Sequence, residues 1–161
     1  MKPLATLFAA LLGLTACVAV VPVPISVGTS GAPQTVQSPG RVDAFGAALN
    51  QERAGAGLAP VSLNDRLKAA AEAHAFDMVR MGFFDHASPN GASVGDRVAS
   101  QGYNWCHVAE NIAKGQPTEI AVLRSWMDSP GHRRNNLSPR ATEYGLGHAG
   151  DVWVLVMAAG C

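Results

Sequence analysis

Histidine and glutamate side chains are the groups in this sequence whose types and setting suit them to chemistry. The chain carries five histidines, and imidazole is the side chain that titrates or binds metal near neutral pH. His86 follows an aromatic pair and lies among turn residues, whereas His132 comes directly after Ser-Pro-Gly. Glu110 lies in an alternating stretch that predicts a strand. If these three residues met in one cleft, they could hold a divalent cation, activate water or form a polar network.

The three residues fall on separate predicted elements, so the fold has to bring them together. Hydrophobic spacing and capping residues predict helices over 42–54, 65–81 and 94–101 and helices that begin at 119 and 130, with strands over 107–113, 143–148 and 152–158. Asn64, Thr118 and Ser129 are the predicted helix caps. Because the helices come mostly before the strands, the order predicts an α+β layered domain.

Each candidate residue also has a structural interpretation. His74 falls on the apolar face of the second helix, where a buried histidine bonded to a neighbouring turn is favoured over a cleft ligand. Glu110 could brace a loop by accepting backbone N–H groups, and His132 could satisfy loop carbonyls. Ser88 and Ser129 fit the roles of turn and cap residues better than that of a nucleophile. The sequence therefore identifies no nucleophile, and it leaves open whether the protein is an enzyme.

Four segments occur together in a specific order: Phe84-Asp85-His86-Ala87-Ser88-Pro89, Ala109-Glu110-Asn111-Ile112, Trp126-Met127-Asp128-Ser129-Pro130-Gly131-His132-Arg133-Arg134-Asn135-Asn136-Leu137 and Glu143-Tyr144-Gly145-Leu146-Gly147. In this order they resemble the CAP superfamily in its bacterial form, also called the SCP-like extracellular domain. The resemblance covers about residues 42–158. It implies a three-layer α-β-α sandwich with a largely antiparallel central sheet.

The resemblance also implies a cleft lined by His86 and Glu110, with His132 as a further candidate. Some animal relatives hold zinc or another divalent ion with a pair of histidines in this cleft. By that resemblance His86 and His132 are the expected ligands of a divalent metal such as zinc, calcium or magnesium. The second glutamate and the Gly-His-Tyr-Thr-Gln-like strand of the animal pattern are absent, so a complete site of two histidines and two glutamates is not expected. Asn136 also stands where the bacterial motif usually has an apolar residue.

The first residues of the chain are typical of an exported protein. A short basic start precedes an apolar run from Leu4 to Leu14, which is too short to span a bilayer. The run ends in Leu14-Thr15-Ala16-Cys17, which resembles the bacterial lipobox. We expect a signal peptide over 1–16 and lipidation of Cys17, which would anchor the protein to the periplasmic or outer-membrane face of the cell envelope. The alternative is ordinary cleavage and secretion, with Cys17 incidental.

The remainder of the chain divides into a linker and one domain. Residues 17–40 carry no charge and are rich in Pro, Ser and Thr, which predicts an extended linker. We expect residues 41–161 to form the CAP/SCP-like domain that the resemblance implies. In an oxidising compartment Cys106 and Cys161 would form a disulfide worth about 4 kcal/mol, the alternative being two unpaired thiols.

The charge balance limits the class of partner. The chain has 12 basic and 12 acidic residues, so no nucleic-acid partner is predicted. We expect a monomeric, envelope-tethered binding module whose cleft takes a metal, a small molecule, a lipid, a glycan or another envelope protein. The alternative is a metal-dependent or general-base hydrolase acting on peptide or cell-wall substrates.

Overall fold

The computed structural model describes residues 40–161, and the predictions for the signal peptide, Cys17 and the linker up to residue 39 lie outside the described residues. The described part contains five helices and four strands in the order α1 (Ala44–Gly55), β1 (Ser62–Leu63), α2 (Asp65–Met81), α3 (Val94–Ser100), β2 (Trp105–Lys114), α4 (Glu119–Asp128), α5 (Pro130–Asn136), β3 (Glu143–Ala149) and β4 (Val152–Gly160). None of the helices in residues 40–161 has the length and apolar character needed to cross a bilayer.

Capping residues set the ends of the first two helices. The Asp43 side chain accepts a hydrogen bond from the Gly46 amide at 2.8 Å, so α1 begins after Asp43 rather than at Val42. Val42 is consequently outside the helix and 47% exposed. Asn64 caps α2 through the amides of Arg66 and Leu67, and Gly82 ends it with a φ of 70°. Both ends of α2 are as predicted.

The four strands form one mixed sheet in the order β1-β3-β4-β2. The pairs β3–β4 and β2–β4 are antiparallel, whereas β1 pairs with β3 in parallel. The expected largely antiparallel sheet therefore carries one parallel pair at its edge. The sequence did not predict β1, because a strand of two residues has no hydrophobic period to detect.

Strand β4 lies in the middle of the sheet and is buried on both faces. Val154 and Val156 pack into a cluster with residues of α2 and α3, whereas Leu155 and Met157 pack into a second cluster with residues of α1 and α4. Burying an aliphatic side chain of this size contributes about 1.5–3 kcal/mol. Because helices cover both faces of the sheet, the predicted α-β-α sandwich is confirmed.

Helix α2 packs unusually close to β3. A Cβ atom at Gly147 would lie 2.2 Å from the Ala71 carbonyl carbon, so only glycine fits there. His74 lies on the same helix, is 1% exposed, and donates from Nε2 to the Asp85 carbonyl at 3.0 Å. The predicted buried histidine bonded to a neighbouring turn is confirmed. This contact holds the loop that carries His86 against α2.

The predicted disulfide between Cys106 and Cys161 is also confirmed. The register of β2 and β4 pairs Trp105 with Gly160, which brings the two cysteine Cα atoms to 4.9 Å. The bond therefore joins the beginning of β2 to the end of β4.

Candidate functional site

His86 and Glu110 meet although they lie on different elements. His86 belongs to the loop between α2 and α3, Glu110 lies on β2, and the distance between His86 Nδ1 and Glu110 Oε1 is 2.9 Å. The Glu110 side chain is 2% exposed, whereas the His86 side chain is 58% exposed. A carboxylate can only accept, so Nδ1–H donates and Nε2 is the His86 nitrogen left free for other partners.

Arg97 of α3 donates a hydrogen bond to the second carboxylate oxygen of Glu110. Its Nη2 donates to Glu110 Oε2 at 2.7 Å, and its side chain is only 11% exposed. Both partners of the Glu110 carboxylate are thus side chains, unlike the alternative in which it accepts backbone N–H groups. The result is a His–Glu–Arg triplet, which we call the Glu110 triplet (His86, Glu110 and Arg97), in which the carboxylate and the guanidinium are nearly buried and the imidazole is exposed. A carboxylate that accepts two charge-assisted hydrogen bonds holds both of its partners in one orientation.

Arg97 also fixes the loop that carries His86. Its Nη1 donates to the Ser88 hydroxyl at 3.1 Å and to the Ala92 carbonyl at 3.0 Å. The Ser88 amide donates to the Ala92 carbonyl at 3.0 Å, which closes the turn. Ser88 is therefore the predicted turn residue, and Arg97 ties this turn to β2. Sequence reasoning missed Arg97, because nothing in its spacing distinguishes it from a surface arginine.

An asparagine network holds α5 against β2. The Asn111 side-chain amide donates to the His132 carbonyl at 3.0 Å and to Asn136 Oδ1 at 2.7 Å. The Asn135 amide donates to the Glu110 carbonyl at 3.1 Å and to Asn111 Oδ1 at 2.8 Å. Asn111 and Asn136 are fully buried, so these bonds explain why a polar residue is tolerated at 136. The network places His132 next to the strand that carries Glu110.

The His132 ring is paired with Ser129. The distance between His132 Nδ1 and Ser129 Oγ is 3.0 Å. Ser129 occupies the predicted cap position of α5, but its side chain makes no capping hydrogen bond, so that part of the prediction is wrong. The hydroxyl is directed at the imidazole instead. His132 therefore bonds a hydroxyl rather than the loop carbonyls of the alternative interpretation.

The two imidazoles have pKa values that move in opposite directions. The hydrogen bond that His86 donates to Glu110 raises the pKa of His86 against the opposing effect of burial. Burial lowers the pKa of His132, and the charge on His86 lowers it further. Asn111, which follows Glu110 on β2, bonds the His132 carbonyl, so both histidines lie beside the same part of this strand. The site thus pairs a histidine that favours the imidazolium with one that favours the neutral ring.

The donor set does not fit a resident divalent metal ion. Both Glu110 oxygens are engaged, and a guanidinium lies 2.7 Å from one of them, so a cation bound there would face a fixed positive charge. Within residues 40–161 no three or more His, Cys, Asp or Glu side chains are grouped closely enough to hold an ion. His86 and His132 would offer only two protein ligands, where catalytic zinc sites usually have three. The metal binding that the family resemblance implies for this pair is therefore not expected from the donor set, and a titration with zinc would test it.

Known proteins are similar to this chain in sequence and in fold. The family model described as "Cysteine-rich secretory protein family" (CAP) matches residues 47–155. "Uncharacterized protein YkwD" of Bacillus subtilis (strain 168) is 38% identical over 125 residues, which are 74% of this chain and 49% of that protein.

Solved structures of other proteins are similar to this chain in fold. An extracellular protein containing an SCP domain from Bacillus anthracis str. Ames matches with a TM-score of 0.69 and 26% identity, over 71% of this chain and 38% of that one. An outer surface protein from Borrelia burgdorferi matches with a TM-score of 0.64 and 18% identity, over 71% of this chain and 89% of its own. The chain thus spans about half of its curated relative YkwD and a smaller share of the Bacillus anthracis protein.

Proposed function

Because the chain belongs to the cysteine-rich secretory protein (CAP) family, we propose that it is an exported binding module, tethered to the cell envelope, that takes a small polar ligand at His86 and His132. Export is supported by the resemblance of residues 1–17 to a lipoprotein signal and by the description of the Bacillus anthracis relative as extracellular. Replacing Cys17 (Cys17→Ser) should move the protein from the membrane fraction to the soluble one. Unchanged fractionation would contradict the lipid anchor.

The observation that carries the binding proposal is the fixed, exposed imidazole of His86. Its Nδ1 is held by a carboxylate that is itself clamped by Arg97, and its ring is 58% exposed. The imidazolium form presents Nε2–H to a ligand oxygen, and a hydrogen bond to a charged group is worth about 1.5–3 kcal/mol. The neutral ring of His132 offers a second polar contact, which carries no charge, unlike the imidazolium of His86. This combination suits the amide and hydroxyl groups of an envelope glycan or peptide.

Binding can be tested with defined cell-wall fragments. N-acetylglucosamine oligomers and N-acetylmuramyl dipeptide would be titrated into the purified full chain and followed by saturation-transfer NMR. The double substitution His86→Ala/His132→Ala should abolish the signal, whereas His148→Ala, which removes an exposed imidazole on β3 outside the site, should not. Equal binding to the double variant, or no binding to wild type, would contradict a glycan or peptide ligand at this site.

A hydrolase is the second candidate, and two features of the site favour it. The pKa of His86 is raised and that of His132 is lowered. Enzymes use such opposite shifts to make one group an acid and the other a base. The Ser129 hydroxyl lies 3.0 Å from His132 Nδ1 and supplies a nucleophile beside that base. Hydrolysis of purified peptidoglycan or casein that is lost in both His132→Ala and Ser129→Ala would establish this function. Absence of product with wild type would leave the binding function.

Metal binding by His86 and His132 is tested separately. Native mass spectrometry after addition of one equivalent of zinc should show the same negligible metal content in wild type and in His86→Ala/His132→Ala. Stoichiometric zinc that is lost in the double variant would contradict the poor fit of the donor set.

A further inference from the structure

An open concavity lies beside α5 and shares no lining residue with the Glu110 triplet or His132. It is an open groove of about 690 Å³ between α5, the segment that follows it and the beginning of β2. Arg133, Arg134 and Arg140 line it together with His107 and Ser138. We call it the arginine groove.

The positive charge in the arginine groove is not compensated. No carboxylate lines the groove, and among the described residues none of its three arginines forms an ion pair. All three are exposed. Residues 129–142 contain these three arginines and no acidic residue, although the chain as a whole has no net charge. The charge is therefore a local concentration rather than part of a general basic surplus.

Arg53 adds a buried positive charge beneath the same segment. Its Nη1 donates to the carbonyls of Asn136 and Ser138 at 2.8 and 3.0 Å, and the residue is 1% exposed. Its hydrogen bonds go to backbone carbonyls, so this charge too lacks a carboxylate partner. The segment that forms one wall of the groove is thereby held rigidly in place. Arg133 also borders a neighbouring hollow whose lining includes Glu52 and Asp128, but among the described residues it forms no ion pair with either.

His107 lines the arginine groove, and the charge of Arg140 affects its pKa. Its Nε2 is 3.0 Å from the Ser138 hydroxyl. Burial lowers the pKa of His107, and the charge on Arg140 lowers it further. The imidazole is therefore held neutral by its surroundings, and an anion bound next to Arg140 would reverse part of that effect.

We propose that the arginine groove binds a phosphate group, either of a lipid headgroup or of a soluble phosphate ester. Guanidinium groups that line one groove without a carboxylate repel one another, and an anion bound among them reduces that repulsion. The planar donor fork of arginine matches phosphate oxygens with two parallel hydrogen bonds. Three arginines supply more charge and more donors than one carboxylate can use, which favours a phosphate. This site is independent of the ligand proposed for His86.

The first test uses inorganic phosphate and the full chain. The ring proton signals of His107, assigned with His107→Gln, would be titrated with pH in the absence and presence of phosphate. Bound phosphate should raise the pKa of His107. The apparent affinity should fall about tenfold or more in both Arg134→Glu and Arg140→Glu, because each removes charge-assisted hydrogen bonds. Arg124→Glu, an exposed arginine on α4 outside the groove, should change it less than about twofold.

A second test distinguishes the two sources of phosphate. The same variants, in a Cys17→Ser background, would be sedimented with vesicles of phosphatidylglycerol or of phosphatidylcholine. Binding to phosphatidylglycerol that depends on Arg134 and Arg140 supports a lipid headgroup, whereas a response to inorganic phosphate alone supports a soluble ester. The proposal is overturned if inorganic phosphate leaves the pKa of His107 unchanged and the chain does not bind phosphatidylglycerol vesicles. It is equally overturned if the arginine variants bind both probes as wild type does.

Discussion

Removing the charge of Glu110 is the perturbation to which the candidate site should respond most strongly. The substitution Glu110→Gln keeps the shape of the side chain but replaces the carboxylate that joins His86 to Arg97. The Arg97 guanidinium, in a side chain 11% exposed, would then lose its only ionic partner among the described residues. The substitution therefore leaves a nearly buried cation without a counter-charge.

The magnitude follows from the burial of the pair. Removing one partner of a buried ion pair costs about 3–5 kcal/mol. Arg97 keeps its bonds to the Ser88 hydroxyl and the Ala92 carbonyl, and glutamine can still accept one hydrogen bond, so the lower end applies. We expect the free energy of unfolding to fall by about 3 kcal/mol, a large part of the roughly 5–15 kcal/mol that stabilises a typical domain.

Urea denaturation of the oxidised full chain, followed by circular dichroism, measures this loss. Glu72→Gln is the matched control, because Glu72 forms a 3.6 Å ion pair with Lys68 on the exposed face of α2 and its side chain is 53% exposed. That substitution should cost less than about 0.5 kcal/mol. A loss below about 1 kcal/mol for Glu110→Gln would refute the reasoning, because the carboxylate would then not compensate a buried charge.

Three further predictions concern packing, cross-linking and pH. Gly147→Ala should destabilise the domain by about 1–3 kcal/mol in urea denaturation, because its Cβ would meet the backbone of α2. Gly131→Ala, whose Cβ would meet nothing within 4 Å, should not destabilise it, and equal losses would contradict the close packing of α2 on β3. Replacing both Cys106 and Cys161 with serine should lower the free energy of unfolding by about 4 kcal/mol, since the disulfide closes a loop across a sequence separation of 55. A loss below about 1 kcal/mol would show that the bond adds little. The pKa of His86 is raised on folding, so its contribution is fully present below the unfolded pKa of about 6.5 and is lost as pH rises through the folded pKa. Wild type should therefore exceed His86→Gln in stability by more at about pH 6 than at about pH 9, and a gap independent of pH would contradict the raised pKa.

Local sequence patterns predict the helices and strands whose capping residues and hydrophobic spacing lie within or next to the element itself. Helix α2 has a capping asparagine, an apolar face and a terminal glycine, and each of these acts within a few residues of its own position. The apolar run from Val152 onward likewise predicts a strand buried on both faces. By contrast, β1 exists only because Ser62 and Leu63 find a partner in β3, and no local pattern encodes that contact.

The candidate site shows the same division. His86, Glu110 and His132 stand in motifs that can be recognised along the chain, so they were identified before the fold was known. Arg97 was missed because its partner Glu110 is 13 residues away and on another element. The direction of the Ser129 hydroxyl was missed because a serine before proline is also the usual cap, and only the three-dimensional structure decides between the two bonds.

The pKa values of His86 and His132 in the wild-type full chain test the central claim most directly. Proton–carbon NMR over a pH titration, with the signals assigned by His86→Gln and His132→Gln, measures both values in one sample. We expect His86 to titrate above about 6.5 and His132 below it, and His132→Gln to leave the pKa of His86 raised by Glu110. If both rings titrate together near the value of a free imidazole, the carboxylate and the two imidazoles do not form one site.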